Sequence, residues 1–301
     1  MIYKIDNNFF FNECKKFLDL TTEKIFLRED KNPLYDDLLI GFQKADHPVF
    51  AQIAQIIPEH LIPYDFLPES MLEKNSKRVG LSVVSFSFCL NKKTVDENAS
   101  AEFYPSHSWY VSTNRFNEFT SVFKRFIGNF FDQNKIRYVF PNSIKEKYRI
   151  IRKNGIKYST WSERHIAYAC GLGSFGLHGS LITDKGCAHR LMSVIIDNSF
   201  YNYNEPDQPW NKNCLSANNI KCGTCIKKCP VNSIQTTGRS IINCLKHESD
   251  ENKEASKRLY GYEMEACGLC MSGVPCSTVN PMLKLRNYTD RYDLNNIADK
   301  S

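Results

Sequence analysis

The feature that most constrains this chain of 301 residues is the crowding of its cysteines. Eight of the twelve lie between Cys214 and Cys276, and the other four are scattered, at Cys14, Cys89, Cys170 and Cys187. So many thiols in one short region either pair as disulfides or bind metal, and the two outcomes belong to different redox compartments. The uneven distribution predicts two functional regions, of which the second is organised by its cysteines.

The amino-terminal sequence bears on that choice. Residues 1–20 lack the basic start and continuous apolar stretch of a signal peptide. No run approaches the roughly 18 apolar residues that a membrane span requires. We therefore expect a cytoplasmic protein with no membrane partner, in which disulfides are the least expected use of the cysteines and metal or redox chemistry is favoured.

The decisive motif is Cys222-x2-Cys225-x3-Cys229-Pro230. In bacterial-type ferredoxins, closely spaced cysteines bind one [4Fe–4S] cluster, and the last of them, followed by proline, reaches the other cluster. One tight loop can reach three irons of a cubane, and the proline then turns the chain away. The spacing predicts a pair of iron–sulfur clusters.

A second set of cysteines supplies the remaining ligands. It comprises Cys267-x2-Cys270-x5-Cys276, with Cys244 isolated between the two sets. Cys214 substitutes for the usual first cysteine of the run, whose position is occupied by Asn219. The crossed ferredoxin pattern assigns cluster one to Cys214, Cys222, Cys225 and Cys276, and cluster two to Cys229, Cys244, Cys267 and Cys270.

The alternative is a pair of structural zinc sites, because paired C-x2-C motifs also bind zinc tetrahedrally. The Cys-Pro ending and the three-residue spacing before Cys229 favour iron and sulfide instead.

Local patterns predict a mixed α/β arrangement. Residues 79–88 predict a buried strand, 114–134 an amphipathic helix with a core-facing aromatic stripe, and 162–169 a helix with Ser162 as its N-cap. The segments LIT and LMSVIID predict further strands. We expect four regions: an amino-terminal extension packed on the core (1–75), an α/β domain (76–205), a ferredoxin-like module (206–285) and a tail (286–301).

The run Gly171-x-Gly173-x-x-Gly176 has the spacing of a dinucleotide-binding fingerprint in the wrong context. That fingerprint needs a strand before it and a helix after it, whereas here a helix precedes and a strand follows. The run predicts a loop that permits close backbone approach. Its partner is either a ligand or another part of the fold, and the pattern favours neither.

Motifs of a known superfamily run through residues 79–281. The stretch WSERHIAYACGLGSFGLHGSLITDKGCAHRLMSVIID, with KCGTCIKKCP, NCLKHE and ACGLCMSGVPC, resembles the epoxyqueuosine reductases and reductive dehalogenases, most closely their short, iron–sulfur epoxyqueuosine reductase-like branch. The resemblance implies a nitroreductase-like α/β domain that holds cobalamin. It also implies a ferredoxin-like module whose two [4Fe–4S] clusters deliver electrons to the cobalt.

The same resemblance implies candidate site residues. Epoxyqueuosine reductases carry a proton-donating aspartate six residues before the glutamate that matches Glu163, and here that position is Lys157. This departure argues against epoxyqueuosine itself as the substrate. The candidate catalytic residues are Lys157, Tyr158, Glu163 and His165. The candidate cobalamin-binding residues are Gly171, Gly173, Ser174, Gly176, His178 and Ser180.

Two functions fit these features. The first is a cobalamin-dependent reductase that takes electrons from an external donor such as a ferredoxin or flavodoxin and acts on a small molecule or a tRNA. The alternative is a ferredoxin-type carrier without corrinoid that reduces a partner protein, although a bare carrier has no need of residues 79–200. The formal charge of +6 is too small to indicate nucleic-acid binding.

Overall fold

The computed structural model describes residues 4–24, 26–69, 71 and 80–286. It is a mixed α/β structure built on a four-stranded antiparallel sheet, as the sequence predicts at this level. The strands of this sheet, in spatial order, are β1 (Tyr35–Lys44), β2 (Leu81–Leu90), β8 (His189–Asp197) and β3 (Tyr138–Val139).

The other elements surround this sheet or follow it in the chain. Three hairpins pair β4 (Ile150–Lys153) with β5 (Ile156–Ser159), β6 (Gly173–Phe175) with β7 (Leu181–Thr183), and β9 (Ile234–Gln235) with β10 (Gly238–Arg239). The helices are α1 (Asn7–Lys24), α2 (Pro48–Ile56), α3 (Lys92–Ala99), α4 (His107–Asn114), α5 (Phe116–Gln133), α6 (Glu163–Ala169), α7 (Thr224–Lys228), α8 (Ile241–Leu245) and α9 (Asn252–Tyr260). A π-helical turn at Lys246–Glu251 joins α8 to α9, and residues 281–286 are helical. Within the described part of the chain, no helix has the length and apolar character needed to cross a membrane.

The central strand β2 is buried along its whole length because both faces of the sheet are covered. Side chains alternate between the faces, so Phe86 and Phe88 pack in one core with α1 and α5. Val83 and Ile195 pack in the other core, with α2 and α6. The predicted buried strand is therefore confirmed from residue 81 onward, and Val79 lies outside the described residues.

Helix α5 confirms the prediction of an amphipathic helix whose aromatic stripe faces the core. Phe119 and Phe123 are fully buried. Their rings lie 4.8 and 5.1 Å, centroid to centroid, from Phe88. The predicted helix began two residues earlier, but Arg115 separates α5 from the short helix α4.

The amino-terminal segment contributes side chains to the first core. Strand β1 pairs with β2 over nearly its full length, and the Phe10 ring stacks on Phe131 at 5.7 Å. The polar segment after Asp197 is also packed, because Phe200 is buried 4.2 Å from the ring of Phe42. The predicted domain boundaries stay predictions, and residues 287–301 of the predicted tail lie outside the described residues.

The cysteine-rich region is bound to the sheet domain by backbone hydrogen bonds. The turn between β7 and β8 donates from the Cys187 N–H to the Cys276 carbonyl at 2.8 Å and from the Ala188 N–H to the Ser277 carbonyl at 2.9 Å. Lys228 Nζ donates to the Ala99 carbonyl at the end of α3, at 2.7 Å. These contacts fix the cysteines relative to the α/β domain.

Candidate functional site

Four cysteines from two distant loops line one small cavity of about 20 Å³. Cys222 and Cys225 flank Gly223 at the start of α7, and Gly223 has a φ of +117°, which a glycine adopts without strain. The cavity also contains His178 and is otherwise mostly apolar. The cysteines that line it are Cys214, Cys222, Cys225 and Cys276.

Electrostatic effects between thiols separate the same two groups that the crossed pattern assigns. Burial raises the pKa of Cys225 to about 12, with further increases from Cys276, Cys214 and Cys222. Burial raises the pKa of Cys267 to about 12 as well, and Cys244 and Cys229 add to it. Burial also raises the pKa of Cys270, where the neighbouring thiols are Cys267, Cys244 and Cys229.

Each group is a set of neighbouring sulfur donors that would gain from a cation; Cys225 and Cys229 are buried, and Cys222 is exposed. Several neighbouring thiolates in a buried site repel one another, and iron supplies the charge that keeps them ionised. The donor set of four thiols in each group fits a [4Fe–4S] cluster. Binding of the clusters by these eight residues stays a prediction.

His178 contacts the first group directly. Its Nδ1 accepts a hydrogen bond from the Ser180 N–H at 3.1 Å, so the proton of the neutral ring lies on Nε2. Nε2 lies 3.4 Å from Cys276 Sγ. A side chain predicted to face cobalamin therefore donates to a predicted cluster ligand.

Cys187 also joins this group, although nothing in its sequence context singles it out. Its Sγ lies 4.0 Å from Cys276 Sγ, and the ligand atoms of His178, Cys187 and Cys276 all lie within 4.8 Å of one another. The hydrogen bond from Cys187 lowers the pKa of Cys276 to about 5, against the effect of burial and with help from His178.

Arg239 makes a second contact with a cysteine that the sequence does not predict. Its Nη2 lies 2.6 Å from Cys244 Sγ, and its Nη1 donates to the carbonyl of His178 at 3.2 Å. Burial raises the pKa of Cys244, and the Arg239 charge opposes that increase. A guanidinium group therefore lies beside the second group of thiols.

Glu163 begins helix α6 with its carboxyl group turned into the protein. Both carboxylate oxygens are buried without a hydrogen-bond partner among the described residues. Burial raises the pKa of Glu163 to about 7, although nearby Ser193 and Lys124 favour the ionised form. Burial therefore favours the protonated form of the Glu163 carboxyl group.

The other residue of α6 predicted to be catalytic, His165, is neutral. Its Nδ1 lies 2.8 Å from the Ser162 hydroxyl, so that hydroxyl bonds the His165 ring instead of capping the helix backbone. Burial, with Arg164 and His60, lowers the pKa of His165 to about 3. The ring packs on Phe175 at 4.9 Å.

Lys157 and Tyr158 lie next to each other on β5 and have different partners. Lys157 Nζ pairs with Glu265 Oε2 at 2.9 Å, and Arg152 binds the same carboxylate. The Tyr158 hydroxyl donates to Glu59 at 3.4 Å. Within the described residues, no hydrogen bond connects any two of the four predicted catalytic side chains, and their catalytic roles stay predictions.

The glycine run forms close contacts within the chain, and part of it is strand β6 rather than a loop. A Cβ on Gly173 would lie 2.2 Å from the Ile182 carbonyl oxygen, and one on Gly176 would lie 2.7 Å from His178 Nε2. The sequence left open whether these two glycines approach a ligand or another part of the chain, and both approach other residues of the chain.

The remaining residues predicted to contact the corrin also contact other residues of the chain. A Cβ on Gly171 would lie 2.5 Å from Asn204 Cβ. The Ser174 hydroxyl accepts from the Asn213 N–H at 2.7 Å, and the Ser180 N–H donates to His178. These residues face other parts of the chain, and a cobalamin pocket at these positions stays a prediction.

Comparison with known proteins gives structural neighbours only. No protein-family profile and no curated protein sequence matches this chain. A selenomethionine-labelled epoxyqueuosine reductase is similar at 15% identity and a TM-score of 0.44, over 87% of this chain and 65% of that one. The epoxyqueuosine reductase from Streptococcus thermophilus is similar at 13% identity and a TM-score of 0.45, over 89% of this chain and 69% of that one. A catabolic reductive dehalogenase is similar at 12% identity and a TM-score of 0.44, over 80% of this chain and 30% of that one.

These neighbours are of the two kinds that the motifs resemble. The chain spans 65% of the length of the first epoxyqueuosine reductase and 30% of the dehalogenase.

Proposed function

We propose that this chain is an iron–sulfur reductase. Its two groups of four cysteines each bind a [4Fe–4S] cluster, and the clusters pass electrons to an acceptor held by the α/β domain. The observation that carries the proposal is the crossed grouping of the thiols. Cys276 lies with Cys225, whereas Cys229 lies with Cys270.

The same grouping argues against one zinc ion shared by the two C-x2-C pairs. A zinc ion bound by two C-x2-C pairs would bring both pairs together. Here Cys222 and Cys225 belong to one group, and Cys267 and Cys270 belong to the other. Crossing of ligands between two loops is the arrangement of two-cluster ferredoxins.

Cobalamin is the acceptor that the motif resemblance implies, and when bound it supplies a cobalt centre for reductive chemistry. Among the candidate catalytic residues, Glu163 is best suited to hold a proton, because its carboxyl group is buried and its pKa is about 7. His165 is neutral and orients its ring through Ser162. We also propose that an external donor such as a ferredoxin or flavodoxin supplies the electrons. The proposed substrate is a small molecule or a tRNA.

Metal analysis of protein prepared without oxygen tests the proposal. Two cubanes predict about eight irons and eight sulfides per chain, with visible absorption that bleaches on reduction. Uptake of added cobalamin in equal amount supports the reductase. Zinc without sulfide, or bridged cysteines without metal, contradicts it.

A second candidate function is a ferredoxin-type carrier without corrinoid. It is favoured by the contacts of the six residues predicted to bind cobalamin, which lie against the chain's own atoms. Eight irons per chain with no uptake of cobalamin supports this carrier.

A further inference from the structure

We propose that His178 and Arg239 form a hydrogen-bonded link between the two groups of cysteines, and that each residue raises the reduction potential of one cluster. The inference rests on the proposed binding of two clusters. It assigns to His178 a role toward a cluster ligand, and it gives Arg239 a function that the sequence does not indicate.

The link is continuous from one group to the other. His178 Nε2 donates to Cys276 Sγ at 3.4 Å, and the His178 carbonyl accepts from Arg239 Nη1 at 3.2 Å. Arg239 Nη2 donates to Cys244 Sγ at 2.6 Å. His178 and Arg239 together thus connect Cys276, a ligand of cluster one, to Cys244, a ligand of cluster two.

The position of His178 is fixed from two sides. Its side chain is 1% exposed, and the Ser180 N–H holds Nδ1 as an acceptor, so Nε2 presents its proton to the sulfur. Gly176 provides the space for the ring, because any Cβ there would lie 2.7 Å from Nε2. The histidine is therefore a neutral donor with one orientation.

Arg239 brings a positive charge as well as a proton. Its two terminal nitrogens bind different partners, as the planar fork of arginine allows. Arg164 lies beside it and donates from Nη1 to the Gly179 carbonyl at 2.6 Å. Two cations therefore flank the loop that follows His178, and one of them contacts a ligand of cluster two.

Reduction adds one electron, and hence one negative charge, to a cluster. Hydrogen bonds to the ligand sulfurs and nearby positive charge stabilise that reduced form, which raises the reduction potential. A neutral imidazole contributes a hydrogen bond alone, whereas a guanidinium contributes a charge-assisted hydrogen bond. Arg239 should therefore affect the cluster of Cys244 more than His178 affects the cluster of Cys276.

The test is an anaerobic redox titration followed by low-temperature electron paramagnetic resonance, with dithionite as the electron donor. Removal of Cys225 in a separate variant leaves the signal of cluster two alone and so assigns the two signals. Arg239→Gln should lower the potential of cluster two and leave that of cluster one unchanged. His178→Phe should lower the potential of cluster one only.

Conservative variants separate tuning from folding. Arg239→Lys keeps the charge and should give a potential between those of the wild type and Arg239→Gln. Arg149→Gln is the matched control, because that arginine pairs with Glu59 and, in the described part of the chain, has no hydrogen bond to a cysteine. It should change neither potential.

The outcomes distinguish this inference from the proposed function. If wild-type protein binds no iron and sulfide, the proposed function fails. If Arg239→Gln binds full iron and both potentials equal those of the wild type, the link is wrong while the proposed function stands. If Arg239→Gln loses iron, the lysine variant decides: a lowered potential of cluster two supports the link, and an unchanged one overturns it.

Discussion

Gly268 lies against the indole ring of Trp109. A Cβ atom on Gly268 would lie 1.9 Å from Trp109 Cζ2, and the φ of Gly268 is +70°, so both the space and the backbone conformation require glycine. Gly268 follows Cys267 and precedes Cys270 in the chain. The indole of the α/β domain therefore fixes the loop that holds two cysteines of the second group. Asn98 supports the same loop by donating to the Ser272 hydroxyl at 2.9 Å.

Gly268→Ala should displace this loop and weaken cluster two. Backbone strain and the clash with the ring should lower the free energy of unfolding by at least about 2 kcal/mol. Iron should fall from about eight toward about four per chain. Thermal unfolding and iron analysis measure the two effects.

Gly261→Ala is the matched control. Gly261 also has a positive φ, +79°, but no described residue lies within 4 Å of a Cβ there. The substitution should cost about 1 kcal/mol of backbone strain and leave the iron content unchanged. Equal loss of iron in both variants would show that the indole contact does not fix the cysteine loop.

Cys225→Ala should remove one cluster, and Cys170→Ala should remove none. Cys225 lies with three other thiols, whereas Cys170 lies in the second apolar core, with its Sγ 3.6 Å from the Val83 carbonyl. Iron should fall to about four per chain in the first variant. The second should lose only about 1 kcal/mol of stability from the small cavity. Loss of iron in Cys170→Ala would contradict the assignment of ligands.

Local spacing and the crossed ferredoxin pattern together predict the two cysteine groups, and cluster binding by them stays a prediction. The sequence also predicts strand β2 and helix α5, whose hydrophobic periods are strong. Contacts that depend on the tertiary fold escape it. Cys187 meets Cys276 across 89 residues, after the turn between β7 and β8 folds onto the carboxy-terminal loop.

The outcome for the glycine run has the same explanation. Spacing indicates that the backbone must approach something closely, but only the fold identifies the partner as Ile182 for Gly173 and His178 for Gly176. Arg239 similarly lies in strand β10, outside any sequence motif, and its contact with Cys244 follows from the short hairpin before α8.

Glu163→Gln should change how stability depends on pH. Burial raises the pKa of Glu163 in the folded protein to about 7, whereas the unfolded value is near the ordinary 4.5. The folded state therefore binds the proton more tightly, and wild-type stability falls as pH rises from about 4.5 to about 7. Glutamine resembles the protonated form and does not ionise. The variant should gain up to about 3 kcal/mol relative to the wild type between pH 5 and pH 8.

Urea unfolding at the two pH values measures this difference. Glu59→Gln is the control, because Glu59 is exposed and pairs with Arg149 at the surface. It should not reproduce the gain. A difference between Glu163→Gln and the wild type that is the same at both pH values would show that Glu163 is ionised throughout.

Lys157→Met should cost less than about 1 kcal/mol of stability, because the ion pair that it removes is partly exposed and has a second cation. Lys157 and Glu265 side chains are 24% and 35% exposed, and Arg152 binds the same carboxylate through two hydrogen bonds of 2.9 and 2.8 Å. Glu265 therefore keeps a partner when the lysine is lost.

Removal of both cations should cost more stability than the sum of the single changes, because loss of the second cation leaves the Glu265 carboxylate without an ion pair. A double-mutant cycle with Arg152→Met, measured by urea unfolding, gives this coupling. Exact additivity of the two substitutions would show that the two cations act independently on Glu265.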